Sequence, residues 1–92
     1  MAERIEHKPE QSTFEIYVGD ALAGHADYTE ISGVRTFDHT VTEPDFRGQG
    51  IAGKVVTAAL DATRAEGLKI IAGCSYVEKF VAENPEYKDL LA

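Results

Sequence analysis

From Thr13 to Thr42 apolar residues recur at about every second position, whereas from Ile51 to Ala62 they recur every three or four. This change of period, with Pro44 at the break, narrows the fold most, because a period of two marks a strand and a period near 3.6 marks a helix. In "TFEIYVGDALAGHADY" Phe14, Ile16 and Val18 share one face, Gly19 and Asp20 interrupt, and Leu22, Gly24, Ala26 and Tyr28 share one face of a second run. A glycine-first connection of two residues between alternating runs signals a β-hairpin. "ISG" reads as a second turn, and "VRTFDHTVT" alternates again, with Phe37, His39 and Val41 on one side. Three strands in an antiparallel meander follow from this pattern.

Beyond Pro44, Ile51, Val55, Ala59 and Ala62 trace a helical stripe, flanked by Ala52, Val56 and Leu60. Gly67 stands where a C-cap glycine belongs, so the helix is expected from about Gln49 to Glu66. "LKIIAG" is a short β-branched run, and "SYVEKFVAEN" reads as a helix with Val77, Phe80 and Val81 inward, closed by Pro85 and followed by a short last turn in "EYKDLLA". Strand, helix and strand over residues 34–73 make a βαβ crossover, so the two strands should be parallel and the connection right-handed. The expected fold is α+β, a mixed α/β single domain. It has a mixed sheet, antiparallel meander plus parallel pair, and two main helices. Residues 1–11 are polar, carry Pro9 and follow neither period. They are expected to form a flexible or loosely docked start that includes an early edge strand, and residues 12–92 are expected to form the domain.

The chain has 92 residues, enough for one core. Its sixteen acidic residues against nine basic ones, a formal charge of −7, argue against nucleic acid as a partner, since a basic face supplies most of that affinity. A cationic or amine partner is attracted instead. No stretch is apolar over the roughly 18 residues of a membrane span. "MAERIEHKPE" lacks the apolar core and cleavage site of a secretory signal. A single cysteine, Cys74, cannot form an internal disulfide. The expectation is a cytoplasmic protein, off the membrane, with no metal site, because Cys74 and the histidines show no metal-ligand spacing.

"FRGQGIAGKV", residues 46–55, fits three phosphate-binding patterns at once. Gly48, Gly50 and Gly53 fit the dinucleotide fingerprint; Gly48, Gly53 and Lys54 fit most of a P-loop; Arg47, Gly50 and Ala52 fit the R-x-x-G-x-A of acyl-coenzyme A binders. All three rely on backbone N–H groups left free at a helix start, on the helix dipole and on glycines that admit an anion. Their neighbours discriminate. A dinucleotide site requires a carboxylate roughly 20 residues on, which falls in the carboxylate-free "IIAGCS". A P-loop requires a hydroxyl where Val55 stands. The third pattern keeps every neighbour it needs.

From "HTVTEPDFRGQGIAGKVVTAAL" through "GLKIIAGCSYVEKFV" the chain resembles the GCN5-related N-acetyltransferases. The likeness is to their very small single-domain members, with Cys-Ser-Tyr after the last core strand, and it spans roughly residues 13–91. It implies an acetyl-CoA-dependent N-acetyltransferase that moves an acetyl group to a small amine or an exposed lysine, by direct transfer. It also implies that the coenzyme diphosphate lies on backbone N–H groups of Arg47, Gly48, Gln49, Gly50, Ile51, Ala52 and Gly53, with Arg47 and Lys54 as the nearest cations. The pantetheine arm would run between the parallel strands, where Val41 and Thr42 offer main-chain groups.

Cys74 precedes a helix start that favours a thiolate, and three roles stay open for it: an acyl-cysteine intermediate, a lining of the acetyl pocket, or an inert core thiol. His39 and Glu43 are the candidate bases, with a purely structural strand histidine as the alternative for His39. Larger relatives present a late tyrosine to the departing thiol; Tyr76 and Tyr87 are available, and no motif assigns either. Without the amino-terminal helices of those relatives the acceptor site would be open, or completed by another chain, in a monomer or homodimer. The rival readings are a non-catalytic acyl-CoA-binding or regulatory interaction module, and a plain α/β domain whose glycines serve turns and packing.

Overall fold

The computed structural model describes residues 2–92; Met1, the first residue of the segment expected to dock loosely, lies outside them. One sheet of five strands runs in the order β1 (Glu3–Lys8), β2 (Thr13–Val18), β3 (Ala21–Ile31), β4 (Val34–Thr42), β5 (Lys69–Ala72). Neighbours are antiparallel up to β4, and β4 and β5 are parallel. The meander and the crossover are therefore as the period change implies. The early edge strand is also present, since Glu3 to Lys8 pair with Val18 to Thr13 of β2. The crossover helix α1 spans Ile51–Ala65, and α2 spans Ser75–Glu83. Gly67, with φ of 74°, ends α1 through bonds from its own N–H to Arg64 O and from Leu68 N–H to Thr63 O. That is the double bond of a glycine-terminated helix.

Both helices lie on one face of the sheet. α1 buries Ile51, Val55, Val56, Ala59 and Leu60 against Phe14, Ile16, Ala26, Tyr28, Phe37 and Ile70. α2 flanks it, burying Val77 and Val81, with the Phe80 ring 5.9 Å from Tyr87, whose hydroxyl donates to Asp61 of α1 at 2.8 Å. No described element covers the other face, where Val41 and Ile71 are exposed. Among the described residues no helix is long and apolar enough to cross a membrane.

Two bulges correct the expected faces. Ile16 pairs with Gly24 but Tyr17 pairs with Leu22, so Ala23 is the extra residue. Leu22 therefore leaves the face shared by Gly24, Ala26 and Tyr28. Likewise Tyr28 pairs with Phe37 but Asp27 pairs with His39, leaving Asp38 extra. Each extra residue inverts the alternation beyond it. Phe37 thus faces the helices, while His39 and Val41 face the uncovered side. Asp38 is held in its bulge by a bond from Thr29 Oγ1 to its Oδ2 at 3.0 Å.

The end of the sheet opposite the glycine loop is tied by Arg35, only 2% exposed. Its guanidinium donates to Glu30 at 2.8 Å, to Thr63 at 3.1 Å and to Glu66 at 2.7 Å. It also lies 4.8 Å from the Tyr28 ring centre. His7 joins this cluster from β1, stacked on Phe14 at 4.0 Å, with Nε2 2.6 Å from the Tyr28 hydroxyl. Burial first, and then the Arg35 charge, hold the His7 imidazole below its ordinary value, against a weaker pull from Glu66.

The folded state therefore binds that proton less tightly than the unfolded chain, where the imidazole titrates near 6.5. The stability His7 contributes is complete above this value and is lost as pH falls from it through the lower folded-state value. In urea unfolding, stability should begin to fall as pH drops below about 6.5 and keep falling until the lower folded-state value is passed. His7→Phe, which keeps the stack on Phe14, should flatten that fall. An unchanged slope in the variant would exclude His7 as its source.

Candidate functional site

The glycine loop leaves the end of β4 through a short 3-10 turn, Pro44–Phe46, and enters α1. Gly48 and Gly50 have φ of 81° and 71°, a region that costs a residue with a side chain roughly 1–2 kcal/mol. A Cβ at either would meet nothing within 4 Å, so the backbone demands glycine here and the space above it is open. α1 begins at Ile51, later than the expected Gln49, because left-handed Gly50 is its N-cap. The first intrahelical bond runs from Lys54 N–H to Gly50 O. None of the N–H groups of Gly48, Gln49, Gly50, Ile51, Ala52 or Gly53 donates to any described residue. Free donors and the positive end of a 15-residue helix thus point into one place.

That place is a cleft of about 200 Å³ lined by Thr42, Phe46, Arg47, Gly48, Gly50, Ile51, Ala52, Gly53 and Tyr76. Arg47 is exposed there and makes no ion pair among the described residues. Of the expected coenzyme residues, Val41, Gln49 and Lys54 are not in its lining. Lys54 instead lines a wider groove that shares Gly50 and Gly53 with the cleft, and its Nζ pairs with Glu3 Oε2 of β1 at 2.5 Å.

The second part of the site comes from the parallel strands. β4 and β5 stay paired only from Val34 with Lys69 to Phe37 with Ala72. β4 continues to Thr42 while the other chain turns at Gly73, so the β5-side edge of β4 has no strand partner beyond Phe37. A Cβ on Gly73 would lie 2.9 Å from both Phe37 O and Thr36 Cγ2, which is why this parting occurs at a glycine. Cys74 follows as the N-cap of α2, half-buried, with Sγ 3.5 Å from Thr40 Oγ1. The N–H groups of Ser75, Tyr76 and Val77 beside it donate to no described residue.

The bulge at Asp38 separates the two residues expected to do chemistry. Thr40, opposite Ala26, faces the helices and meets Cys74; His39, opposite Asp27, lies on the uncovered face. Asp27 accepts from Thr13 Oγ1 at 2.6 Å and lies 2.9 Å from His25 Nδ1, so a fixed carboxylate stands across the strand from His39. Glu43 is held through its main chain, its N–H donating to the bulged Ala23 carbonyl at 2.8 Å.

The two tyrosines part as well. Tyr87 is buried and bonded to Asp61, and burial together with that carboxylate pushes it up to about 12. Tyr76 opens onto the cleft. Thr40, Asp27 and the placement of Tyr76 escaped sequence reasoning, because each depends on a bulge or on how α2 leans on α1.

Two glycine substitutions should move stability in opposite directions. Gly53 sits in the first turn of α1, and a Cβ there would make only an ordinary 3.5 Å contact with the Tyr76 hydroxyl. Gly53→Ala should stabilise the chain by about 0.5–1 kcal/mol through helix propensity. Gly73→Ala should destabilise it by about 1–3 kcal/mol through overpacking against β4. Denaturant midpoints measure both, and a destabilised Gly53→Ala would mean that the first turn of α1 is not as described.

Known proteins share both the sequence pattern and this architecture. Residues 13–90 match the GCN5-related N-acetyl-transferase family. Protein NATD1 of Xenopus tropicalis is 34% identical over 84 residues, covering 89% of this chain and 77% of that protein. NATD1 of Homo sapiens is also 34% identical, over 89% of this chain and 74% of its own length. Among solved structures, a GCN5-like protein from Staphylococcus aureus superposes with a TM-score of 0.74 at 24% identity, covering 97% of this chain and 87% of that one. With the matched residues running from the start of β2 to Leu90, beyond the end of α2, the chain belongs to the GCN5-related N-acetyltransferase family, acyltransferases that bind acetyl-CoA.

Proposed function

We propose that this protein moves an acetyl group from acetyl-CoA directly to an amine, a small one or an exposed lysine, without acylating itself. One observation carries the reading. The free N–H groups of Gly48 to Gly53 open on a cleft that Thr42 also lines, at the end of the β4 edge that has no strand partner beyond Phe37 and that carries Thr40, 3.5 Å from the Cys74 thiol at the start of α2. The residues present fit the coenzyme, because left-handed glycines with open space above them admit a diphosphate to bare backbone. When bound, the coenzyme supplies an acyl group activated as a thioester.

The remaining work falls to the chain. Backbone donors from Gly48 to Gly53 hold the diphosphate, and Arg47 adds the local positive charge that an acidic protein otherwise lacks. The β4 edge around Val41 and Thr42 offers main-chain groups to the amide-bearing arm, whose acceptors satisfy donors that would otherwise be costly to bury. Cys74 and Thr40 line the acyl end. The free N–H groups at the start of α2 favour negative charge developing on the acyl oxygen.

The acceptor enters from the uncovered face of the sheet, over which no described element lies. His39, opposite Asp27 in the strand pairing, takes the proton of the attacking amine there. A net charge of −7 favours a cationic amine as the partner.

Coenzyme A at 100 times its dissociation constant should stabilise the fold by about 2.7 kcal/mol. With acetyl-CoA and a panel of amines, mass spectrometry should detect acetylated amine. Cys74→Ala should retain transfer, and the wild-type chain should carry no acetyl adduct; abolished transfer together with an adduct on Cys74 would replace direct transfer by a covalent route. His39→Gln should lower kcat by about 10²–10⁴-fold. Coenzyme binding with no product from any amine would favour a binding module instead.

A further inference from the structure

Three of the four tyrosine hydroxyls in the chain are engaged. Tyr17 donates to Glu15 at 2.6 Å, Tyr28 meets His7 and Tyr87 donates to Asp61. The fourth, Tyr76, makes no hydrogen bond among the described residues, although its ring is held in place. It stacks on Phe80 with centres 6.3 Å apart and planes 26° apart. Its hydroxyl is suspended over the first turn of α1, 3.5 Å from where a Cβ of Gly53 would stand, in the cleft lined by Gly48 and Gly50. Since Gly53 has no side chain, the space between hydroxyl and helix stays open. Burial raises the phenol above its ordinary value, so it remains a neutral donor.

We propose that Tyr76 is a positioning residue for the coenzyme: its hydroxyl donates a hydrogen bond to the diphosphate seated on the free N–H groups of Gly48 to Gly53. α2 then clamps from above the anion that α1 holds from below. The assignment rests on the coenzyme reading above and extends it. It separates Tyr76 from proton delivery to the departing thiol. Cys74, the cap residue two positions earlier, is turned toward Thr40 of β4, while Tyr76 in the first turn of α2 is turned toward Gly53 of α1. Charge points the same way. Lys54 is taken by Glu3, so Arg47 and neutral donors must hold the anion.

The test measures dissociation constants of coenzyme A and of desulfo-coenzyme A, which lacks the thiol, for the wild type and Tyr76→Phe. The hydroxyl bonds nothing in the fold and the side chain is 38% exposed, so the variant should unfold at the wild-type denaturant midpoint. Loss of one hydrogen bond to a charged group should weaken both ligands about tenfold, and equally. Weakening of coenzyme A alone would place the hydroxyl at the thiol and overturn the clamp. Equal affinity of wild type and variant for both ligands would overturn it as well, while leaving the coenzyme reading intact. A wild-type chain that binds neither ligand would overturn both.

Discussion

β4 stays paired with β5 only as far as Phe37 and Ala72, after which the chain turns away at Gly73. The close packing of that glycine on the Phe37 carbonyl makes the parting abrupt. Beyond it, the main chain of β4 from Asp38 to Thr42 keeps a free edge, and α2 starts beside that edge with Cys74 as its cap. A fully paired β5 would satisfy the same groups internally and leave no opening between strands. The site is therefore made by withholding hydrogen bonds rather than by adding side chains, and a ligand able to supply the missing partners gains what the fold forgoes.

The opposite end of the molecule holds this arrangement steady. Arg35 joins Glu30 of β3 to Thr63 and Glu66 near the end of α1, beside the stacked rings of His7 and Phe14 and the tilted ring of Tyr28. α1 is about 22 Å long at 1.5 Å per residue, so fixing its far end fixes where its first turn delivers free N–H groups. A buried guanidinium bonded on several sides is costly to disturb, which makes this cluster a rigid reference for the helix. Polar anchoring at one end thus serves polar reception at the other.

Much of this was legible in the sequence for local reasons. Gly19 and Gly67 act through their own backbone conformation, Pro44 and the change of period mark the switch from strand to helix, and the R-x-x-G-x-A loop announces a phosphate-binding helix start. Strand β1 was less so. Ile5 and His7 of "ERIEHK" face the helices only because β2 lies alongside, and nothing within six mostly charged residues says so. The side of the sheet on which His39 falls was not legible either. Simple alternation puts it with Phe37, and the extra residue at Asp38 puts it on the opposite face.

What the amino-acid order determined by itself was the kind and sequence of elements from β2 onward, the crossover, the glycine loop and the family that goes with them, because each depends on residues near one another in the chain. Tertiary structure alone decided which chemistry-bearing groups meet: Cys74 with Thr40, His39 across from Asp27, Tyr76 over Gly53. Those meetings turn on two single-residue bulges and on the lean of one helix against another. Such features are settled by partners far apart in sequence, whose packing and hydrogen bonds exist only once the sheet has closed on its helices.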